Sequence, residues 1–388
     1  MPKTIAITPS WYWPPGIPRV VGVPPFSIPE LCVDRAARDN PGGLAIVAGN
    51  VRLSATELRD EVQRTAAGIA AAAGGDQIAV LSAGVSLDSI VLFLAALAAG
   101  LHVRLLSANE DPAAHVAAHG GIALDASLRG GSAAVAGQHI PSLTELREGA
   151  IVIEGKSGPV VHSHRSLLSA SIGLSTFLDA TPGRPWMPLM SLSRWEGLLA
   201  SLTPLYLGAP LIVPPPGGDA EATVQVIARE RVGYAFADLA EGARIARDAK
   251  KAAKDARKVL DGFLLSVDGM FDPDERRRVG RALECPALTV WGLPETGPVF
   301  ASHASWYIDE SVGIPITNAH VVPSDPRTGE PIQALWELVD SAEVTVWSPS
   351  VCLRTEGADQ PGRWAGARFR TGMMASSDAN GMIYLLDG

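Results

Sequence analysis

Apolar residues along this chain fall in short unbroken runs that alternate with longer segments whose apolar positions recur every three to four residues. The first pattern predicts strands buried on both faces, and the second predicts helices with one face on a core. Ile28-Pro29-Glu30-Leu31 opens a helix to about Asp39, and Leu44 to Val47 pairs with Val51 to Leu53 around Gly49-Asn50 as a hairpin. Ser54-Ala55-Thr56-Glu57 is a capping box for a helix to about Ala73. Ile78 to Leu81 reads as a strand, Ser86 to Gly100 as a buried helix, and Val103 to Leu106 as the next strand. The stretch from Ala150 to Leu168 reads as a strand, a glycine-bearing turn and a helix start. Further on come a strand at Pro188 to Ser191 with a helix through Leu205, a strand at Leu211 to Val213, a helix from Ala220 to Arg231, and strands at Tyr234 to Phe236 and Gly262 to Val267. From Ser311 the period shortens to alternating strands and turns. The expected architecture is α/β, with two helix-covered sheets and a C-terminal β-rich, barrel-like subdomain. The expected divisions are a leader arm over 1–27, α/β subdomains over 28–205 and 206–300, and the β-rich part over 301–388.

Composition narrows the function. A net charge of −9 and an aromatic content of 6% argue against a nucleic-acid surface. The seven Lys and Arg between Leu239 and Leu260 are interleaved with Asp and Glu at helical spacing, the pattern of a solvated helix face. Cys32, Cys285 and Cys352 have no C-x-x-C spacing and read as reduced thiols. The longest apolar run, Ile90 to Leu101, falls short of the ~20 residues a bilayer span needs, and no secretion signal opens the chain, so a cytoplasmic protein without a membrane span is expected.

The candidate chemistry centres on Glu154-Gly155-Lys156-Ser157-Gly158-Pro159-Val160-Val161-His162-Ser163-His164-Arg165-Ser166. A glycine turn leading into a helix offers unpaired backbone N–H groups to an anion. Most turns of this kind in a glycine-rich chain are only turns, and the G-x-x-x-x-G-K-[ST] spacing is missing. His162 and His164 are either general bases or structural histidines at a helix start. Glu295, in the loop after Ala287 to Gly292, reads by itself as a solvated loop carboxylate.

These motifs carry a resemblance. The 154–168 stretch is similar to the phosphate-loop region T-S-G-T-T-G-x-P-K-G-V-x-x-S-H of the ANL superfamily, which comprises acyl-CoA synthetases, peptide-synthetase adenylation domains and luciferases. About three residues are missing before Val160, the Thr pair is absent, and Lys156 lies on the other side of the turn from the family's Lys. Trp11 to Pro18 resembles the leader of long-chain fatty acyl-CoA synthetases. Pro188-Leu189-Met190-Ser191 stands for P-L-x-H, with Arg194-Trp195-Glu196 inserted before Gly197. Asp268-Gly269-Met270 replaces the loop under the adenine, and Trp291-Gly292-Leu293-Pro294-Glu295-Thr296 resembles Y-G-x-T-E. Trp336-Glu337-Leu338 matches a G-E-L strand, Phe369-Arg370-Thr371-Gly372-Met373 stands for [YF]-R-T-G-D, and Asp387-Gly388 falls at the family's hinge.

The resemblance implies catalytic roles for Glu295 and His164, magnesium on Glu295, and nucleotide contacts from Ser157, Gly158, Ser163, Asp268, Gly269, Trp291, Gly292 and Thr296. It implies ATP or AMP with magnesium as ligands, held weakly, and CoA or a carrier protein's phosphopantetheine as acyl acceptor. The lid domain of the family is expected to be absent. Three functional expectations follow: a protein that has lost adenylation and serves as an acyl-binding or partner subunit; a working ligase whose lid comes from another chain; and a transferase using an acyl thioester. The implied partners are an acyl acid or acyl thioester and a separate lid domain or carrier protein.

Overall fold

A computed structural model describes residues 13–130, 142–249, 256, 259–332, 339–357, 364–365 and 368–386. Trp11, Tyr12, Trp336 to Leu338 and Asp387-Gly388 lie outside the described residues, as does part of the basic run after Asp248.

Two α/β sheets form the body. The first has six strands: β3 (Ile78–Ser82), β4 (His102–Leu106), β5 (Ile122–Leu124), β6 (Ile151–Ile153), β7 (Val160–His162) and β17 (Arg354–Thr355), in the order β17-β7-β6-β4-β3-β5. The second has nine: β1 (Leu44–Ala48), β2 (Val51–Ser54), β8 (Trp186–Pro188), β9 (Leu211–Val213), β10 (Tyr234–Asp238), β11 (Gly262–Val267), β12 (Ala287–Leu293), β13 (Gly297–Ala301) and β14 (Ile314–Pro315). Its order is β14-β13-β12-β11-β10-β8-β9-β1-β2, parallel from β12 through β1. The β-rich C-terminal part is a small antiparallel sheet of β15 (His320–Ser324), β16 (Val339–Trp347), β18 (Trp364–Ala365), β19 (Arg368–Ser377) and β20 (Ile383–Leu385).

The sheets cross the divisions expected from sequence. The early hairpin β1–β2 joins the second sheet, β17 reaches back to the first, and β13 and β14 extend the second sheet past residue 300. Pairing partners distant in the chain cannot be read from local patterns.

Unbroken apolar runs become strands covered on both faces. Ile46, Trp186, Leu211, Phe236 and Leu264 point into a core shared with the first sheet and with α2 (Ala55–Ala73), α3 (Leu87–Ala98), α5 (His164–Phe177) and α6 (Trp195–Leu207). Their neighbours Val47, Met187, Ile212, Ala235 and Leu265 face a second core under α7 (Ala220–Arg229), α8 (Leu239–Asp248) and α9 (Pro273–Leu283). The two-residue period of a strand sends successive side chains to opposite cores. A third core joins Val267, Trp291 and Phe300 to Val344, Val346 and Phe369 of the C-terminal sheet.

Local signals hold where they are strongest. The capping box at Ser54 and Glu57 is formed, and α2 ends at Gly74 in the left-handed conformation. The first predicted helix is wound as a π-helix over Glu30–Asp34 before α1 (Arg35–Asp39), and α4 (Pro112–His119) is capped by Asp111. The arm packs on the body: Trp13 meets Phe177 edge-on at 5.6 Å, Thr317 donates to the Pro18 carbonyl at 2.8 Å, and the Ile28 N–H donates to His164 Nδ1 at 3.2 Å.

Candidate functional site

Parallel strands present their C-terminal ends at one edge of a sheet, and ligands of open α/β sheets bind in the crevice there. Here Asp238 ends β10, Asp268 follows β11, and Glu295 lies in the β12–β13 turn. The turn of the β6–β7 hairpin faces them from the first sheet. Lys156 Nζ lies 3.6 Å from Asp268 Oδ2, and the Glu154 N–H donates to the Ser193 carbonyl at 3.0 Å.

The glycine turn is therefore not at a helix start. β7 intervenes, because Val160, Val161 and His162 are all buried and pair with β6, and Val160 and Val161 pair with β17 as well. Ser157 and Gly158 sit in the hairpin turn, where Gly158 has φ +129° and an added Cβ would fall 2.4 Å from the Glu356 carbonyl oxygen. That close approach admits only glycine.

At the true helix start, Ser163 caps α5 by accepting from the Ser166 N–H, and its hydroxyl is engaged with Ser166. His164 accepts at Nδ1 from the Ile28 N–H at the opening of the first helix, a structural tie. His162 is buried, with Nδ1 3.1 Å from Ser166 Oγ and Nε2 2.7 Å from the Pro294 carbonyl oxygen. A carbonyl only accepts, so Nε2 carries the proton and Nδ1 accepts. Burial pushes the His162 pKa down to about 4, against a smaller upward pull from the Pro294 hydrogen bond.

His162 is one of three restraints on the glutamate turn. Pro294 O accepts from His162, Glu295 O from the Cys352 N–H at 2.6 Å, and Thr296 O from Ser350 Oγ at 2.8 Å. Three successive carbonyls are thus pinned by two separate segments, one at His162 and one at Ser350 to Cys352. Glu295 is only 5% exposed, not a solvated loop residue, and among the described residues no hydrogen-bond or ion-pair partner to its carboxylate is found. The carboxylate oxygens themselves are not sealed from water, which solvates them in place of a protein partner. Among the described residues no group of three or more His, Cys, Asp or Glu is arranged to hold a metal by itself.

The remaining predicted nucleotide contacts are less open. Trp291 is 0% exposed and stacks on Phe300 at 5.3 Å, so its indole offers no free face. Thr296 Oγ1 is engaged within its own turn, and a Cβ at Gly292 would fall 2.0 Å from the Gly297 carbonyl oxygen. Asp268 is exposed and Gly269 half-buried beside exposed Met270. Met373 is half-buried and packs against the third core, the same cluster that Phe271, Leu239 and Val351 cover.

Sequence reasoning missed a charge network across the crevice. Arg194 Nη2 lies 3.0 Å from Glu196 Oε1, Arg194 Nη1 lies 3.6 Å from Asp238 Oδ2, and Ser266 Oγ donates to Glu196 at 2.8 Å. Glu196 is 2% exposed. The signal was the Arg194-Trp195-Glu196 insertion itself. Trp195, which it brings, is buried edge-on to Phe236 at 6.2 Å.

The fold and this crevice define an α/β protein with a recessed carboxylate at the strand ends of its larger sheet. A profile of the AMP-binding enzyme family matches residues 154–352, about half of the chain. The chain belongs to that family. Its fold is similar to that of O-succinylbenzoate coenzyme A synthetase from Bacillus subtilis, solved with ATP and magnesium ion, at a TM-score of 0.79 and 15% identity over 92% of this chain and 79% of that one. A nonribosomal peptide synthetase, FmoA3, is similar at a TM-score of 0.77 and 18% identity, covering 97% of this chain and 44% of that one. The ATP-bound RpMatB-BxBclM chimera B3 matches at 0.78 and 18% over 92% and 78%. A search of curated protein sequences gave no significant match. Among the described residues no helix is long and apolar enough to cross a membrane.

The neutral, buried His162 makes the site sensitive to acid. Its pKa is 6.5 when unfolded and about 4 when folded, so between those values the unfolded chain binds the extra proton. The stability this gives is complete above pH 6.5 and is lost as pH falls to about 4, a loss of about 3 kcal/mol. Denaturant titrations of wild type and His162→Gln should show their stability gap narrowing by that amount from pH 7 to 4. A constant gap would mean that His162 is not buried neutral.

Proposed function

We propose that this chain is an AMP-binding-family protein impaired in acid adenylation, acting as an acyl-binding or partner subunit. The observation that supports this reading is Met373. It stands where the resemblance places a ribose-binding carboxylate, and its side chain packs on an apolar cluster instead. A thioether is a weak acceptor and cannot replace a carboxylate toward two hydroxyls. The residues present do not fit a nucleoside: Met373 supplies no anchor for the sugar, Trp291 offers no face for the base, and the hydroxyls of Ser163 and Thr296 are engaged internally. No catalytic step is routed through ATP on this reading. The crevice's cations, Lys156 and Arg194, are paired with Asp268 and Glu196.

One observation favours a second reading, a working ligase completed by a lid from another chain. Glu295 retains a recessed, unpartnered carboxylate on a rigid turn, the feature that would hold magnesium. Acid-dependent ATP–pyrophosphate exchange separates the two. Across a panel of fatty and aryl acids the purified chain should give no exchange above the acid-free blank. Exchange that Glu295→Ala abolishes would establish the ligase reading.

A further inference from the structure

The far end of α6 lines a feature that the crevice does not share. A cleft of about 560 Å³ opens between the π-wound turn and α1, the start of α2, and the chain from Leu205 to Ala209. That volume lies within the roughly 300–1,000 Å³ of small-molecule pockets. α6 has 13 residues, so its crevice end and its cleft end are about 18 Å apart. None of the residues assigned to the candidate site lines the cleft.

Its walls have two characters. Leu44, Leu207 and Pro182 give the cleft accessible apolar surface over the buried Val33, Leu58 and Leu205, and Arg35 adds a cation. The guanidinium is held in place twice: Nη2 donates to the Tyr206 carbonyl, and Cζ lies 5.0 Å over the Tyr206 ring. Guanidinium has five N–H donors, and only this carbonyl engages them among the described residues. Asp39 also lines the cleft, but its carboxylate is exposed and pairs with Arg38 at 3.2 Å. The Arg35–Tyr206 contact also caps the C-terminus of α6, which accounts for one donor and leaves the others for a ligand. The Glu30–Asp34 turn that shapes the wall is π-wound, and single π-turns are frequent at functional sites.

We propose that this cleft is a binding site for a small amphipathic monocarboxylate, whose carboxylate pairs with Arg35 and whose apolar tail lies along Leu44, Leu207 and Pro182. The site is independent of the nucleotide crevice and does not rest on the adenylation reading. A planar guanidinium with open donors matches a carboxylate geometrically, and the apolar wall gives no reward to a purely polar anion.

Isothermal titration with octanoate, and with octan-1-ol as its neutral counterpart, tests the assignment on the whole chain without nucleotide. Octanoate should bind with one-to-one stoichiometry, about tenfold or more tighter than octan-1-ol, as expected for a charge-assisted pair. Arg35→Gln should bring octanoate down to the level of the alcohol while leaving the alcohol unchanged. Ala36→Phe, which fills the cleft from a half-buried position, should abolish both; Leu207→Trp serves if that variant does not fold. Equal binding of acid and alcohol by wild type, no octanoate binding at millimolar concentration, or octanoate binding that survives cleft filling would each overturn the proposal.

Discussion

Replacing Arg276 by Ala should cost about 4 kcal/mol of folding stability. The side chain is 1% exposed, and among the described residues no carboxylate pairs with it. Backbone carbonyls solvate the charge instead: Nε donates to Ala287 O at 2.7 Å, and Nη1 to Ile308 O, Asp309 O and Ser311 O at 3.0, 3.2 and 3.3 Å. Nη2 donates to Ser302 Oγ at 3.0 Å, and the guanidinium lies 4.3 Å over the Tyr307 ring. Truncation deprives several buried acceptors of their donor and opens a cavity between α9 and the segment leading to β14, and each buried group left unpaired costs about 1–3 kcal/mol. Burial lowers the Arg276 pKa only to about 10, so the effect should be flat across neutral pH. Arg276→Lys, with three donors on a narrower head, should recover only part of the loss. Urea denaturation followed by circular dichroism reads the change; a loss below about 1 kcal/mol would show that water replaces the guanidinium without penalty.

Arg276 also shows where sequence reading stops. It lies in a helix rich in Arg and Asp, which by pattern alone is a solvated element. Only the fold brings the 308–311 carbonyls to it. The elements that were legible are those whose cause is local: the Ser54–Glu57 capping box, the Gly49-Asn50 hairpin, and the strand Gly262–Val267 between turn signals. β7 was not legible, because three buried residues followed at once by an N-cap look like the lead-in to a helix. At the site, the sequence picked out Glu295 and the hairpin turn but not what encloses them. The burial of Glu295 depends on His162, Ser350 and Cys352, which come from two segments far away in the chain. Trp291 looks like an open aromatic by motif, yet β13 and the C-terminal sheet close over β12 and leave all seven of its residues buried. The Arg194–Glu196–Asp238 network required the sheet order, with β8, β10 and β11 adjacent.

The second large effect is on nucleotide affinity. Loss of a charged, hydrogen-bonded contact to the ribose costs about 2–3 kcal/mol, or roughly 30- to 150-fold. On the reading proposed above the phosphate side is weakened as well, since the Glu356 backbone closes against Gly158 in the turn and Lys156 is paired with Asp268. ATP with magnesium should therefore bind in the millimolar range or weaker by the same arithmetic. Met373→Asp restores an acceptor at a half-buried position and should tighten binding at least tenfold where the rest of the crevice has kept its shape. The direct measurement is calorimetric titration of the purified chain with ATP and magnesium, with Glu295→Ala alongside. A dissociation constant at or above ~1 mM, little changed by Glu295→Ala, is the expected result; micromolar binding that Glu295→Ala removes would contradict the account and mark the crevice as a working nucleotide site.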